Sequence, residues 1–510
     1  HLEWPCLTID YAISQNTFNV KKIGIMNEYQ LNEQFEINQG GKEVQILNQL
    51  TDSGTFTDIK SIMYIEGVGK IQLAAGTVQF NKIIFTINEN ATNGYVITGT
   101  ATSTIISISD CIMKMQSDAE GYSILTGLVE LTTTDDSISQ AGGGIEATIG
   151  GSSGQLSISN TDFIKCISQQ SYQAGAISLI IKDQGTVSIS QTSFIQCESD
   201  QGSGINAQIL SGGTLTIEGT CSFICCKARF DSGVSLYCTI SGTNSKLILE
   251  DQLQFEGYIK DQEGNNQIDL GQGRGAYIDT SNNGIVEVNQ ILLNECKGIN
   301  GGGIQINCQS SSKQTFIGTQ FTKCVADQNG AGIYAFINSG EIELNQVIIN
   351  ECFALDGGGI YTSIDQDGKF IIKESSSINN CKSTSIGSGG GIYAIINSGQ
   401  MEISESTINE CLALDGGGIY TSIDQDGKFI IKESSSINNC ESTSTGSGGG
   451  IYAIINSGQM EISETIIKEC FALDGGGIYT SIELEGKFII KESSSINNCK
   501  STSTGSGGGI

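Results

Sequence analysis

The chain of 510 residues is almost without proline, tryptophan and histidine, with one of each. The histidine is His1, and the only two arginines are Arg229 and Arg274. General acid–base catalysis by histidine and a histidine-based zinc site are therefore not expected. No run of 18 or more apolar residues occurs, so the sequence predicts no membrane-spanning segment within this chain.

Positive charge is also scarce. Lys and Arg number 26 against 55 Asp and Glu, which gives a formal net charge of −29. A chain this acidic lacks the basic surface that binds nucleic acid, and anionic membranes should repel it. Nucleic acid is therefore not expected as a partner.

Glycine is abundant, at 66 residues, and it occurs within long internal repeats. ALDGGGIYTSIDQDGKFIIKESSSINNC occupies residues 354–381, returns unchanged at 413–440 and returns with three changes at 472–499. A second phrase, GSGGGIYAIINSGQMEISE, occupies 387–405 and 446–464, a shift of 59 residues. Because cysteines recur every 28–30 residues here, each 59-residue unit consists of two similar turns.

Each turn has the alternation and the β-branched residues of short strands separated by glycine or polar bends. Tyr361 and Ser363 should face outward. The inward positions of three predicted strands are Ile360, Thr362, Ile364, Phe370, Ile372 and Ile378. Helical repeats of similar period are excluded, since three consecutive glycines in every turn would disrupt a helix.

One such turn cannot bury its inner face alone, so it must stack on its neighbours. We predict an all-β, right-handed parallel β-helix solenoid with three short strands per turn of about 28–31 residues. Residues 1–20 are predicted as an N-terminal helical cap and 21–510 as the solenoid. The turns of 21–300 are less regular, with an excursion around 239–272, and near-identical 59-residue double turns fill 328–510.

Both ends look cut, because the chain begins at His1 and stops at Ile510 inside a repeat. A signal peptide or a membrane anchor could therefore lie outside this sequence.

Three kinds of motif suggest a known superfamily. WPCLTIDYAIS at 4–14 has Thr8 as a helix N-cap, GGGIY recurs, and FIKC, FIQC, FICC and FTKC end at Cys166, Cys197, Cys226 and Cys324. The chain resembles the right-handed parallel β-helix, pectin-lyase-like superfamily, with repeats similar to those of polymorphic outer-membrane proteins and adhesins. Cysteine replaces the asparagine of the FxxN motif, so no role of that asparagine is carried over. The resemblance implies a fold that hosts adhesins, lyases and hydrolases.

Twelve cysteines share one position of the repeat and are called the cysteine column: Cys111, Cys166, Cys197, Cys226, Cys296, Cys324, Cys352, Cys381, Cys411, Cys440, Cys470 and Cys499. Tyr258 fills this position where a turn lacks cysteine. We expect a structural ladder of buried, small hydrophobic thiols, clearest from Cys324 to Cys499. Disulfides between turns are the alternative, but strands ~4.8 Å apart hold the Cβ atoms too far apart. Cys6, Cys221, Cys225, Cys238 and Cys308 lie off the column and would oxidise more readily in an oxidising compartment.

Seven tyrosines that follow Gly-Ile or Gly-Ala are called the tyrosine column: Tyr277, Tyr334, Tyr361, Tyr393, Tyr420, Tyr452 and Tyr479. They form a predicted surface-contact stripe that could stack on sugar rings or dock a partner. The alternative is a stacking ladder that only stabilises the sheet.

The turns Asp365–Gly368 and Asp424–Gly427 have calcium-like Asp-x-Asp-Gly spacing, but the other ligands of a calcium loop are missing. We expect solvated turns, no metal and no cofactor.

The sequence favours a non-catalytic, surface-displayed or secreted, adhesin-like stalk that presents a repetitive face to cells, matrix or glycans. Glycans or surface proteins are the expected partners. The alternative is a polysaccharide-active lyase or glycoside hydrolase with its site in residues 60–300. Ice binding has poor support, because its Thr-x-Thr rows are missing from the predicted strands.

Overall fold

The structure is a computed structural model. It describes residues 8–15, 19–49, 56–87, 95–99, 105–115, 127–132, 145–152, 154–166, 174–228, 234–257, 275–443, 445–502 and 504–509. The chain forms two compact units, His1–Thr239 with Asn244–Ile248, and Ile240–Thr243 with Leu249–Ile510. The predicted extent of the solenoid, residues 21–510, stays a prediction.

The first unit has one described helix, Ile9–Gln15. Its strands are Val20–Gly24, Glu28–Leu31, Gln34–Leu47, Ser61–Ile65, Lys70–Asn81, Ile83–Ile87, Tyr95–Gly99, Ile105–Ser109, Ile112–Met115, Gly127–Thr132, Ile145–Ile149, Gln155–Ser159, Asp162–Ile164, Ile177–Ile181, Thr186–Ser190, Ser193–Ile195, Glu198–Ser199, Gly202–Leu210, Thr214–Glu218, Ser222–Ile224 and Lys227–Ala228. The strands Val234–Ser241 and Lys246–Leu249 include residues of both units.

The strands of the second unit are Gln254–Glu256, Ala276–Ser281, Ile285–Asn289, Leu292–Asn294, Lys297–Asn300, Ile304–Gln309, Lys313–Ile317, Gln320–Thr322, Val325–Asn329, Ile333–Asn338, Glu341–Asn345, Ile348–Asn350, Phe353–Ala354, Ile360–Asp365, Lys369–Lys373, Ser377–Asn379, Lys382–Ser383, Ile392–Ile396, Gln400–Ser404, Thr407–Asn409, Leu412–Ala413, Ile419–Ile423, Lys428–Lys432, Ser436–Asn438, Glu441–Ser442, Ile451–Ile455, Gln459–Ser463, Ile466–Lys468, Phe471–Ala472, Ile478–Ile482, Lys487–Lys491, Ser495–Asn497 and Lys500–Ser501.

The predicted parallel β-solenoid is confirmed, because equivalent strands of successive turns pair in parallel and in register. Ile360 pairs with Ile392, which pairs with Ile419. In the strand Ile360–Asp365, buried residues alternate with half-buried ones, as the sequence predicts. Phe370 is fully buried on the second strand of the same turn. The core therefore lies inside the turns, as predicted.

A fourth short strand, which the sequence did not predict, follows the cysteine in the second unit. Phe353–Ala354, Lys382–Ser383 and Leu412–Ala413 belong to a separate sheet of eight strands. These strands are mostly two residues long, which is too short for an alternating pattern to be recognised.

The triple glycines meet two backbone requirements. Gly357 has a φ of +63°, a left-handed conformation that side chains with a Cβ rarely adopt. At Gly358, a Cβ would lie 2.4 Å from the carbonyl oxygen of Lys382. The motif therefore lets the backbone bend and approach its neighbour closely.

The helix Ile9–Gln15 lies where the sequence predicts one. Oγ1 of Thr8 accepts a hydrogen bond from the backbone N–H of Tyr11 at 3.2 Å, and Ile9 and Ile13 are buried. The predicted role of residues 1–20 as a cap is not supported. The helix is only seven residues long, and residues 1–7 lie outside the described part.

Two threonines of the core have buried hydroxyl groups that form no hydrogen bond within the described residues. Thr362 and Thr421 are 0% exposed and, within the described residues, their Oγ1 atoms have no hydrogen-bond partner. Alanine occupies the same column in the intervening turns, at Ala394 and Ala453. Burying an unpaired hydroxyl costs about 1–3 kcal/mol.

Replacing Thr421 by valine should stabilise the chain by about 1 kcal/mol, because a methyl group replaces the unpaired hydroxyl. Chemical denaturation followed by circular dichroism measures the effect. Thr407→Val is the matched control, since Oγ1 of Thr407 lies 3.2 Å from Oγ of Ser436 and Thr407 is half-buried. A lower midpoint for Thr421→Val than for wild type would contradict the prediction.

Candidate functional site

Six of the seven residues of the tyrosine column lie side by side, from Tyr334 to Tyr479. Each pairs in register with the next. Adjacent ring centroids are 4.7–5.3 Å apart, and the rings are inclined by only 6–17°. Tyr277 is separated from this stack because Gln305 occupies the turn between Tyr277 and Tyr334.

Stacking determines which part of each ring can meet a ligand. A ring inside the stack has a neighbouring tyrosine on both faces, so only its edge and hydroxyl can face outward. All six side chains are half-buried. Within the stack, a sugar therefore has no free ring face to lie on, but it can reach ring edges and hydroxyl groups. The sequence predicted the outward direction of these residues and could not show how their rings lie.

An aspartate that the sequence analysis missed precedes the triple glycine. Oδ1 of Asp356 accepts a hydrogen bond from the backbone N–H of Ser388 at 2.7 Å, and Asp415 accepts one from Ser447 at 2.8 Å. Each carboxylate therefore ties its loop to the loop of the next turn. The signal was present, because Leu-Asp-Gly-Gly-Gly occurs three times.

The phenols of the stack resist ionisation. Burial raises the pKa of Tyr361, Tyr393 and Tyr420, and neighbouring phenols and Asp356 raise it further. A phenolate inside the stack would be poorly solvated, and it would be repelled by the negative charge of Asp356. These hydroxyls therefore stay protonated at neutral pH and can donate hydrogen bonds.

Along one corner of the solenoid, the Asp-x-Asp-Gly bends alternate with shorter bends. The first carboxylate of each, Asp365 or Asp424, accepts a hydrogen bond from the side-chain amide of Asn397 or Asn456 in the next turn. Asp-Gly-Lys and Ser-Gly-Gln segments line a polar cleft of about 540 Å³ at this corner. The side-chain hydrogen bonds of these tight bends therefore connect successive turns of the solenoid.

The cysteine column is aligned along successive turns of the second unit. Backbone N–H groups of Lys382 and Leu412 donate to the carbonyls of Cys352 and Cys381 at 2.9 and 3.1 Å. The Cys381 thiol donates weakly to the carbonyl of Ile349 at 3.8 Å. The thiols of Cys411, Cys440 and Cys470 likewise lie 3.8–3.9 Å from a carbonyl of the preceding turn.

The 16 cysteines in the described part of the chain are free thiols, and all except half-buried Cys499 are buried. Burial raises the pKa of the Cys352 and Cys440 thiols well above its usual range. Off the column, burial raises the pKa of Cys221 and Cys308 to about 11. Cys225 and Cys238 are also buried free thiols.

Some sequence expectations fall outside the described residues: those on Cys6, on Tyr258 and on 258–272 of the excursion. In the segment 60–300, the side chain of Lys60 forms an ion pair with Asp110 at 2.9 Å.

Within the described residues, no helix has the length and apolar character needed to cross a membrane.

No protein-family model matches the chain. No curated protein matches it either. Among solved structures, one match is described as the crystal structure of a TibC-catalysed hyper-glycosylated TibA 55–350 fragment. The two are 11% identical, and the match covers 83% of this chain and 97% of the other, with a TM-score of 0.27. A TM-score this low carries no conclusion about fold or function.

Stacked phenols should make the chain sensitive to alkali. Because the folded state raises their pKa above about 10, their contribution to stability is complete below that pH and is lost as pH rises through the raised pKa. The triple variant Tyr361→Phe, Tyr393→Phe and Tyr420→Phe keeps the rings and removes the ionisable groups. It should stay folded to higher pH than wild type, as measured by circular dichroism. Tyr277→Phe, outside the stack, is the control; equal unfolding pH values for triple variant and wild type would refute the prediction.

Column cysteines should be inert in the native protein. Alkylation requires a thiolate that the reagent can reach, and these thiols are buried. Brief treatment with iodoacetamide followed by peptide mass spectrometry should find Cys296 to Cys470 unmodified, and fully modified after denaturation. Cys499, which is half-buried, serves as the internal comparison. Disulfide-linked peptides, or rapid native labelling of Cys381, would contradict this expectation.

Proposed function

We propose that the chain is a non-catalytic, adhesin-like stalk, displayed on a cell surface or secreted, that presents one repetitive face to glycans or surface proteins. The observation that supports this proposal most directly is the tyrosine stack. It repeats the same outward tyrosine in register on six successive turns, from Tyr334 to Tyr479. The resemblance of the sequence to pectin-lyase-like β-helices and adhesin repeats belongs to this proposal.

The repeated face combines polar and apolar rows. Beside the tyrosines, Ser363 and Ile395 belong to a row in which Ser and Ile alternate, and Asp365 and Asn397 are hydrogen-bonded neighbours in the next row. Hydroxyl, carboxylate and amide groups can exchange hydrogen bonds with a hydroxyl-rich or protein partner. Since the ring faces are covered, contact through hydroxyls and ring edges is favoured over stacking on sugar rings. Weak contacts repeated along one face can add up to strong attachment by multivalency.

Absence of catalysis is part of the proposal. A catalytic site needs a particular set of groups converging at one place, whereas near-identical turns repeat the same groups. The one histidine and two arginines of the sequence also offer few candidates for acid–base work or for binding an acidic polymer. The alternative, a polysaccharide-active enzyme with a site in residues 60–300, is tested directly below.

Attachment is measured by coating beads with the chain at high density and scoring their retention on glycan arrays, matrix proteins and intact cells. We expect retention on at least one of these surfaces. The triple Tyr→Phe variant should reduce retention several-fold, because it removes three outward hydroxyls and keeps the stack. Thr407→Ala, on the third strand of its turn, should leave retention unchanged. Equal retention of wild type and the triple variant would argue against the tyrosine face.

Catalysis is measured on the same preparation by incubating it with neutral and acidic polysaccharides and following polymer length by size-exclusion chromatography. We expect no shortening. Cleavage of any of these polymers would overturn the proposal in favour of the enzyme.

A further inference from the structure

Four buried polar residues lie close together in the core of the second unit. We call Thr280, Cys308, Ser312 and Gln314 the polar core cluster. Each is at most 1% exposed. Burying a group of this kind is unfavourable unless its hydrogen bonds are satisfied.

Two members depart from an isoleucine column. Thr280 pairs in register with Cys308, and Cys308 pairs with Ile337, which pairs with Ile364. Later turns continue the column with isoleucine, for example at Ile396. Thr and Cys are smaller than Ile, and both carry a polar atom into this part of the core.

The other two members depart from glycine and apolar columns. Ser312 occupies the position that Gly284 and Gly340 hold in the neighbouring turns. The residues that follow these three positions pair with one another in register. Gln314 lies between Val286 and Ile342 in register. The four polar replacements form one site, because Gln314 hydrogen-bonds to Thr280 and Cys308 hydrogen-bonds to the backbone of Ser312.

Gln314, Thr280 and Cys308 all donate hydrogen bonds inside the core. Nε2 of Gln314 donates to Oγ1 of Thr280 at 2.8 Å and to the carbonyl of Asn307 at 3.2 Å. Oγ1 of Thr280 donates to the same carbonyl at 3.2 Å. The Cys308 thiol donates to the carbonyl of Ser312 at 3.5 Å.

Two oxygens of the cluster are not satisfied. Among the described residues, Oε1 of Gln314 and Oγ of Ser312 have no hydrogen-bond partner. Gln314 is 0% exposed and Ser312 is 1% exposed, so bulk water does not reach them. Oε1 can only accept a hydrogen bond, whereas the serine hydroxyl can donate or accept.

We propose that the polar core cluster holds one buried water molecule that donates to Oε1 of Gln314 and shares a second hydrogen bond with Oγ of Ser312. The missing partner must be a hydrogen-bond donor, which water is. None of the four side chains carries a formal charge at neutral pH, so nothing here compensates the charge of a bound cation. Buried waters commonly satisfy two to four polar groups in this way.

A high-resolution crystal structure of the full chain tests the proposal without any substitution. We expect a density peak at about 2.7–3.2 Å from both oxygens. An empty space there, or a direct bond between Ser312 and Gln314 that leaves no room, would overturn the proposal. A peak with several shorter contacts, as for a metal ion, would also overturn it.

Variants supply a second measurement. Gln314→Leu should abolish the peak and lower the denaturation midpoint, because it removes the acceptor of the proposed water and the hydrogen bond that Gln314 donates to Thr280. Gln305→Leu is the matched control, since Gln305 is half-buried and lies outside the cluster. It should leave both the peak and the midpoint unchanged. An unchanged midpoint for Gln314→Leu, together with no peak in wild type, would refute the buried water.

Discussion

Backbone hydrogen bonds from each turn to the next hold the second unit together. The N–H groups of Gly357, Gly358 and Ile360 donate to the carbonyls of Ser388, Gly389 and Gly391 at 2.9–3.1 Å. Such bonds require equivalent residues of two turns to lie directly opposite each other. A shift of one residue would turn the inward Ile360 outward and the outward Tyr361 inward. The register therefore determines both what the core contains and what the surface displays.

Register converts a repeated sequence into columns of like side chains. Phe163, Phe194 and Phe223 stack inside the first unit with centroids 5.1 and 4.6 Å apart. Outside the second unit the tyrosines stack at similar distances, so the same rule builds a core and a candidate binding face. Copying a turn extends each column without changing the neighbours of existing residues, which suits a function that depends on repetition.

Alternation and glycine spacing were enough to predict the solenoid, the inward residues and the outward direction of the tyrosines. The fourth strand was not predicted, since a pair such as Lys382–Ser383 has no period. How the rings lie depends on side-chain torsions, so the covered faces of Tyr361 and Tyr393 could not be predicted either. The hydrogen bond from Ser388 to Asp356 joins residues 32 positions apart, and only folding brings them together. Gln314 was overlooked because one polar residue in a short strand resembles an ordinary outward position.

The central claim is that each turn lies in register on the turn before it. An experimentally determined structure tests it through the Cα positions of Cys381, Cys411 and Cys440. In-register stacking predicts that successive Cα atoms are separated by about one strand spacing, ~4.8 Å, and that the three are nearly collinear. Separations of two or more strand spacings, or three atoms that do not follow one line, would contradict it.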